Sequence, residues 1–179
     1  MGEGGELARH QETAPAAQAP RGNGPYGMTT TPSGDVYYAS LAGSHIARID
    51  VETGEATIIE PPTRNQGARR VWSDSKGNVW VSYWNTGQVG RYDPASKTWR
   101  EWKLPGDAQT YSVWVDADDR VWLTDWSTNA IVRFDPATER FTSYPSDRRG
   151  ANVRQMLGRA GEAWGAESGN DRLVRIATR

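Results

Sequence analysis

The chain has 179 residues and a formal net charge of −1, with 21 lysines and arginines against 22 aspartates and glutamates, so no charge excess argues for nucleic acid or an anionic membrane as partner. It has no cysteine, which excludes disulfides, thiolate metal sites and cysteine nucleophiles together. The length suits a single domain with a real core.

Residues 1–23 divide into a patterned piece and a linker. GELARHQ, Gly5 to Gln11, matches the pattern of GEATIIE at residues 54–60 and reads as an outer strand separated from its blade. The stretch that follows, to residue 23, is rich in Ala, Pro, Gln and Gly and reads as extended, flexible linker. The N-terminus is acidic and Gly-rich, without the basic start and apolar run of a signal peptide. The expectation is therefore a cytoplasmic protein, or a periplasmic one if the chain is N-terminally truncated. No apolar run approaches the ~18 residues of a membrane span.

From residue 24 to 179 one unit repeats. Trp80, Trp122 and Trp164 recur about every 42 residues, with Tyr37 in the equivalent place before them. The arginines of the third strand, Arg48, Arg91, Arg133 and Arg175, keep the same step, and so do Asp50, Asp93 and Asp135 in the first three copies. In the third copy, strands are expected at Tyr111 to Asp116, Arg120 to Asp125, Ala130 to Asp135 and Arg140 to Pro145. Short runs with turn residues between them signal antiparallel meanders. A period in the low forties with four strands per unit predicts an all-β fold, a β-propeller of four-stranded antiparallel blades, four of them encoded here. Trp80, Trp122 and Trp164 are expected to fill the wedges between blades.

The fourth unit stops after its third strand, LVRIA, Leu173 to Ala177. It lacks the outer strand that Gly5 to Gln11 is expected to supply, since a terminal strand that completes the last blade removes an exposed edge. Three outcomes stand open: a small four-bladed ring, a homodimer closed through strand exchange, or part of a longer propeller.

The strings GPYGMTTTPSGDVYYAS (Gly24 to Ser40), GNVWVSYWNTGQVGRYDP (Gly77 to Pro94) and DRVWLTDWSTNAIVRFDP (Asp119 to Pro136) resemble repeats of the streptogramin B lyase, or virginiamycin B lyase, family. The resemblance runs from about Gly24 to Arg179. It implies a seven-bladed ring that opens a cyclic depsipeptide antibiotic by magnesium-assisted elimination across its ester. It also implies histidines just before the innermost strands of two late blades and an acidic residue near the end of a second strand. The corresponding pre-strand residues here are Tyr26, Arg69, Tyr111 and Val153, none of them histidine. The two histidines, His10 and His45, are expected at the surface or a blade edge. Glu167 and Asp125 end second strands, where the resemblance puts a carboxylate that holds Mg2+; the alternative is that each caps a turn.

Other residues gather at the same expected rim. Tyr111 and Arg69 are the catalytic candidates, in the absence of a histidine base. Arg69, Arg70 and Arg154 can clamp a carboxylate or phosphate or hold an oxyanion, or can pair with Glu167 and Asp125. Tyr26, Tyr83, Trp84 and Trp126 can form an aromatic platform for a ligand. Two functions follow: a streptogramin lyase-like propeller, or a non-catalytic or partial propeller binding a peptide or small ligand at the channel rim.

Overall fold

A computed structural model describes residues 24–178, and the expected strand GELARHQ and its linker lie outside them. The described chain is all-β, four antiparallel sheets in sequence order. Blade 1 comprises β1 (Gly27–Thr30), β2 (Val36–Ser40), β3 (His45–Ile49) and β4 (Ala56–Ile59). Blade 2 comprises β5 (Ala68–Ser73), β6 (Val79–Tyr83), β7 (Gln88–Asp93) and β8 (Thr98–Lys103). Blade 3 comprises β9 (Thr110–Val115), β10 (Val121–Asp125), β11 (Ala130–Asp135) and β12 (Arg140–Pro145). Blade 4 has three strands, β13 (Val153–Arg159), β14 (Glu162–Glu167) and β15 (Arg172–Ala177).

The four-strand meander read from the repeat is the observed one, with boundaries shifted by a residue in the first two strands of blade 3. The inner strands pack in sequence order, β1 on β5, β5 on β9 and β9 on β13. Among the described residues blade 4 does not return to pack on blade 1, so the four blades form an open arc and not a small closed ring. Met28 on β1 and Leu157 and Leu173 on blade 4 are correspondingly exposed.

Each interface between blades has its own apolar core. Tyr37, Ile46, Val71, Val81 and Tyr92 fill the first, Trp80, Leu104, Val113, Leu123 and Phe134 the second, and Trp122, Ile131, Val153 and Met156 the third. The repeat position of Tyr37, Trp80 and Trp122 thus faces the next blade each time. Trp164 has no following blade among the described residues and is only half-buried, unlike the expectation for it. The same logic explains strand pattern: β6 and β10, covered on both sides, are buried throughout, whereas β14 is not.

An aspartate six residues before the tryptophan locks two of the inner hairpins. Asp74 accepts from the amides of Lys76 and Asn78, from Asn78 Nδ2 at 2.8 Å and from Trp80 Nε1 at 2.9 Å. Asp116 repeats this with the amides of Asp118 and Arg120 and with Trp122 Nε1 at 2.8 Å. Asp74→Ala is expected to lower the unfolding free energy by about 2–4 kcal/mol, because deletion of the carboxylate leaves its several donors unpaired at once. Urea unfolding followed by tryptophan fluorescence checks it; a loss under about 1 kcal/mol would mean that water replaces these bonds.

Candidate ligand site at the channel mouth

The first strands of blades 2, 3 and 4 each carry a β-bulge at the same place. The registers set Arg69 and Arg70 opposite Ser82, Tyr111 and Ser112 opposite Thr124, and Arg154 and Gln155 opposite Ala166. A bulge re-aims side chains and orphans a ladder amide. Here hydroxyls on the second strand take the orphan: Arg70 N–H donates to Ser82 Oγ at 3.1 Å and Ser112 N–H to Thr124 Oγ1 at 3.0 Å. Ser82 Oγ in turn donates to the Tyr111 carbonyl at 2.8 Å, tying blade 2 to blade 3 beneath the site. Sequence reasoning missed Ser82 and Thr124, although a hydroxyl recurring at the repeat interval was there to be seen.

Blade 1 pairs without a bulge, and Gly27 follows Tyr26 where its blade nears blade 2. A Cβ on Gly27 would lie 2.8 Å from both the Arg69 carbonyl and the Arg70 Cα, so only glycine allows that approach. The approach carries Tyr26 across to blades 2 and 3.

There the bulged residues meet. The Tyr26 and Tyr111 hydroxyls share a hydrogen bond of 2.8 Å, and Arg69 Nη2 donates to Tyr26 Oη at 3.0 Å. Arg69 Cζ lies 3.7 Å from the centre of the Tyr111 ring, 4.4 Å from Trp84 and 4.9 Å from Tyr26. Tyr111 stacks on Trp126 at 4.8 Å and 15°, and Trp84 stands edge-on to both. Trp126 is fixed from behind by its Nε1–H, which donates to the Val153 carbonyl at 3.0 Å. Arg70 Cζ is 5.2 Å from the Tyr26 ring, and Arg154 Cζ 5.6 Å from Trp126. Seven of the rim candidates, Tyr26, Arg69, Arg70, Trp84, Tyr111, Trp126 and Arg154, therefore form one contiguous group. Guanidinium on aromatic face is a favourable pairing that holds both partners.

The two phenols differ. Burial, and then its hydrogen bond to Tyr111, push the Tyr26 phenol up from its ordinary value. Burial also works to raise Tyr111, but the hydrogen bond with Tyr26, the hydrogen bond and charge of Arg69, and the charge of Arg70 outweigh it and bring the Tyr111 phenol down. Of the two, Tyr111 is thus the group closer to ionising.

The other candidates are placed elsewhere. Tyr83 is not on the platform: it is fully buried in the core between blades 1 and 2, and its hydroxyl donates to Glu101 at 3.1 Å. Burial, with the Glu101 charge, pushes its phenol strongly up. Asp125 holds its own turn, accepting from the Gln109 and Ser127 amides, from Ser127 Oγ at 2.8 Å and from Thr128 Oγ1 at 2.6 Å. Glu167, 2% exposed, accepts from Ser146 Oγ at 2.8 Å. Both carboxylates border one small cavity of about 100 Å³ between blades 3 and 4, together with Ile131, Tyr144, Val153 and Val174. Neither pairs with the rim arginines. His45 is buried and not a surface residue, lying edge-on to Tyr38 at the start of β3.

These facts decide the fit of Mg2+. Mg2+ takes six oxygens, several of them usually water, and is held by one or two carboxylates that have lone pairs to spare. Asp125 already accepts four donors from its own neighbourhood, the cavity around the pair is lined largely by apolar side chains, and among the described residues no three acidic or histidine side chains cluster. The residues present do not fit the ion, and Asp125 is a turn cap.

Comparison with known proteins accords with the architecture. The virginiamycin B lyase family model matches residues 11–179. The chain belongs to that family. Among curated proteins none matches the chain. Of solved structures, the virginiamycin B lyase from Staphylococcus aureus is 24% identical with a TM-score of 0.80, covering 89% of this chain and 54% of its own. A catalytically inactive variant of it, with quinupristin, gives 23% and 0.80, with 89% of this chain and 54% of that one covered. A streptogramin B lyase gives 21% and 0.79, with 87% of this chain and 52% of that one covered. These likenesses establish the propeller fold. This virginiamycin B lyase family chain spans about half the length of the solved lyases that it matches.

Proposed function

We propose that this protein is a streptogramin B lyase-type propeller that takes a cyclic depsipeptide at the channel mouth and opens its ester by elimination, with Tyr111 as the base. The observation that carries this reading is the Tyr111 phenol, drawn below its ordinary value between the Tyr26 hydroxyl and the Arg69 guanidinium and stacked on the Trp126 indole. A base placed at the start of an innermost strand is also close to where the family resemblance puts one. That the solved Staphylococcus aureus protein is described with quinupristin supports a cyclic peptide as ligand.

In this mechanism the Tyr111 phenolate removes the proton next to the carbonyl carbon of the alcohol-side residue. The electron pair forms a carbon–carbon double bond as the ester C–O bond breaks, and the carboxylate departs with the bonding pair. The guanidinium of Arg69 offsets the negative charge as it moves from phenolate to carboxylate. Tyr111 then releases the proton to solvent. No step runs through a metal. The arc of four blades is completed by further blades or by a second copy of this chain, the strand-exchanged homodimer being one form of the latter.

The test is chromatography with mass detection of a streptogramin B incubated with the protein, with and without magnesium. Elimination gives a ring-opened isomer of unchanged mass, whereas hydrolysis adds one water. Intact ester at high protein concentration overturns the catalytic reading. Ligand-dependent tryptophan fluorescence with intact ester would support the second reading, a non-catalytic propeller binding a peptide. That alternative is favoured by the lack of a histidine in the described site and by the saturated Asp125.

A further inference from the structure

We propose that Arg69 and Arg70 form an anion subsite that receives a carboxylate of the peptide ligand, which in the elimination reading is the carboxylate released when the ester opens. The proposal deepens that reading and rests on it for the identity of the ligand, but the anion chemistry stands on the arginines themselves.

Six arginines of the described chain are matched by acids: Arg48 with Asp35, Arg100 with Glu139, Arg120 with Asp118, Arg159 and Arg175 with Glu162, and Arg172 with Asp147. The other described arginines make no such pair, and of these Arg69 and Arg70 are set apart because both guanidiniums lie over the same two rings, Tyr26 and Tyr111. The acids that could have neutralised them are committed, Asp125 to its turn and Glu167 to Ser146. Two like charges held over the same rings without a counter-charge repel one another, and an anion relieves that repulsion.

The way they are held leaves them able to bind. An arginine stacked face-on to a ring is fixed by its plane, while its N–H donors point outward along the edge of that plane. Arg69 is 3.7 Å from the Tyr111 ring centre, and its hydrogen bonds go to phenols and not to a carboxylate, to the Tyr26 hydroxyl at 3.0 Å and to Tyr111. The Nε atoms of Arg69 and Arg70 are buried without a hydrogen-bond partner, as are those of Arg91 and Arg133, so it is the terminal Nη groups that would meet a ligand. Arg70 also borders the small pocket in the channel, with Ser112 and Gln155, so the subsite continues inward from the mouth. A carboxylate is the group that matches a guanidinium edge with two parallel bonds. The aromatic faces of Trp84 and Trp126 beside it select a carboxylate carried on an apolar or aromatic residue.

The experiment is calorimetric titration of the full chain with the ring-opened linear acid of a streptogramin B and, separately, with its carboxamide. The acid is expected to bind at least tenfold more tightly than the amide, with a preference that shrinks as salt rises. Arg69→Met and Arg70→Met should each remove about tenfold from the acid and no more than a few-fold from the amide, and Arg154→Gln should leave the preference for acid over amide intact, with melting curves recorded to confirm folding. Equal affinity for acid and amide would overturn the subsite and leave the peptide reading standing. If neither peptide binds, phenylacetate decides: binding lost in Arg70→Met sustains the anion subsite and sinks the peptide ligand, whereas no binding overturns both.

Discussion

Tyr111→Phe is expected to reduce ester elimination by about 10²–10⁴-fold while leaving ligand affinity within a few-fold, because it deletes one hydroxyl and keeps the ring on which Arg69 and Trp126 stack. The pH profile gives the sharper form of the result. A base works when unprotonated, so the rate rises with pH through the Tyr111 pKa, and that limb lies below the ordinary tyrosine value of 10.0. Arg69→Met removes a hydrogen bond and a charge that favour the phenolate, and the limb should move to higher pH. Tyr26→Phe should move it the same way, since its hydroxyl makes the first-named of the bonds that bring Tyr111 down. A merely structural role for Arg69 would lower the rate at every pH without moving the limb. A full rate in Tyr111→Phe would remove Tyr111 from the chemistry altogether.

How much of this was legible in the sequence differs by residue. Tyr26, Arg69 and Tyr111 could be found because they share one repeat position, at the start of the innermost strand, and Trp84 and Trp126 because they share another, just after the second strand. Residues in register along a repeat converge at one end of a propeller, whatever their identity. Tyr83 was misread for the same reason in reverse. It is the register mate of Asp125 and Glu167, and that position ends the second strand with its side chain turned into the blade. There a tyrosine becomes core, with its hydroxyl on Glu101, and an aspartate becomes the cap of the next turn. A period-two pattern says that neighbours point to opposite faces, but not which face meets the channel. The bulges were invisible as well: Arg69 and Arg70 read as consecutive strand residues, and only the registers reveal that both stand opposite Ser82. The lack of an acid near the arginines, on which the anion subsite depends, is a fact of three-dimensional distance and has no sequence signal.

Trp80→Ala should cost about 3–5 kcal/mol, and Trp164→Ala, at the same repeat position, about 1–2 kcal/mol. Trp80 is 1% exposed, stacks on Trp102 at 5.6 Å, meets Phe134 edge-on and bonds Asp74, so its loss opens a cavity between blades 2 and 3 and removes one of the four hydrogen bonds to that carboxylate. Trp164 lies on the far flank of blade 4, half-buried, and donates to Glu162, which is itself tied to Arg159 and Arg175. Nothing packs on that flank among the described residues, so truncation there removes little contact. Chemical unfolding of the two variants beside the parent chain measures the difference. The comparison also reports on the ring. If Trp164→Ala costs as much as Trp80→Ala, and the cost falls on dilution, the flank of blade 4 is covered by a second copy, since only an intermolecular contact weakens on dilution. An equal cost that does not change on dilution would mean that residues of the same chain cover it. A small cost at every concentration leaves the arc open at Trp164, with the mouth formed by Tyr26, Arg69, Tyr111 and Trp126 facing solvent on that side.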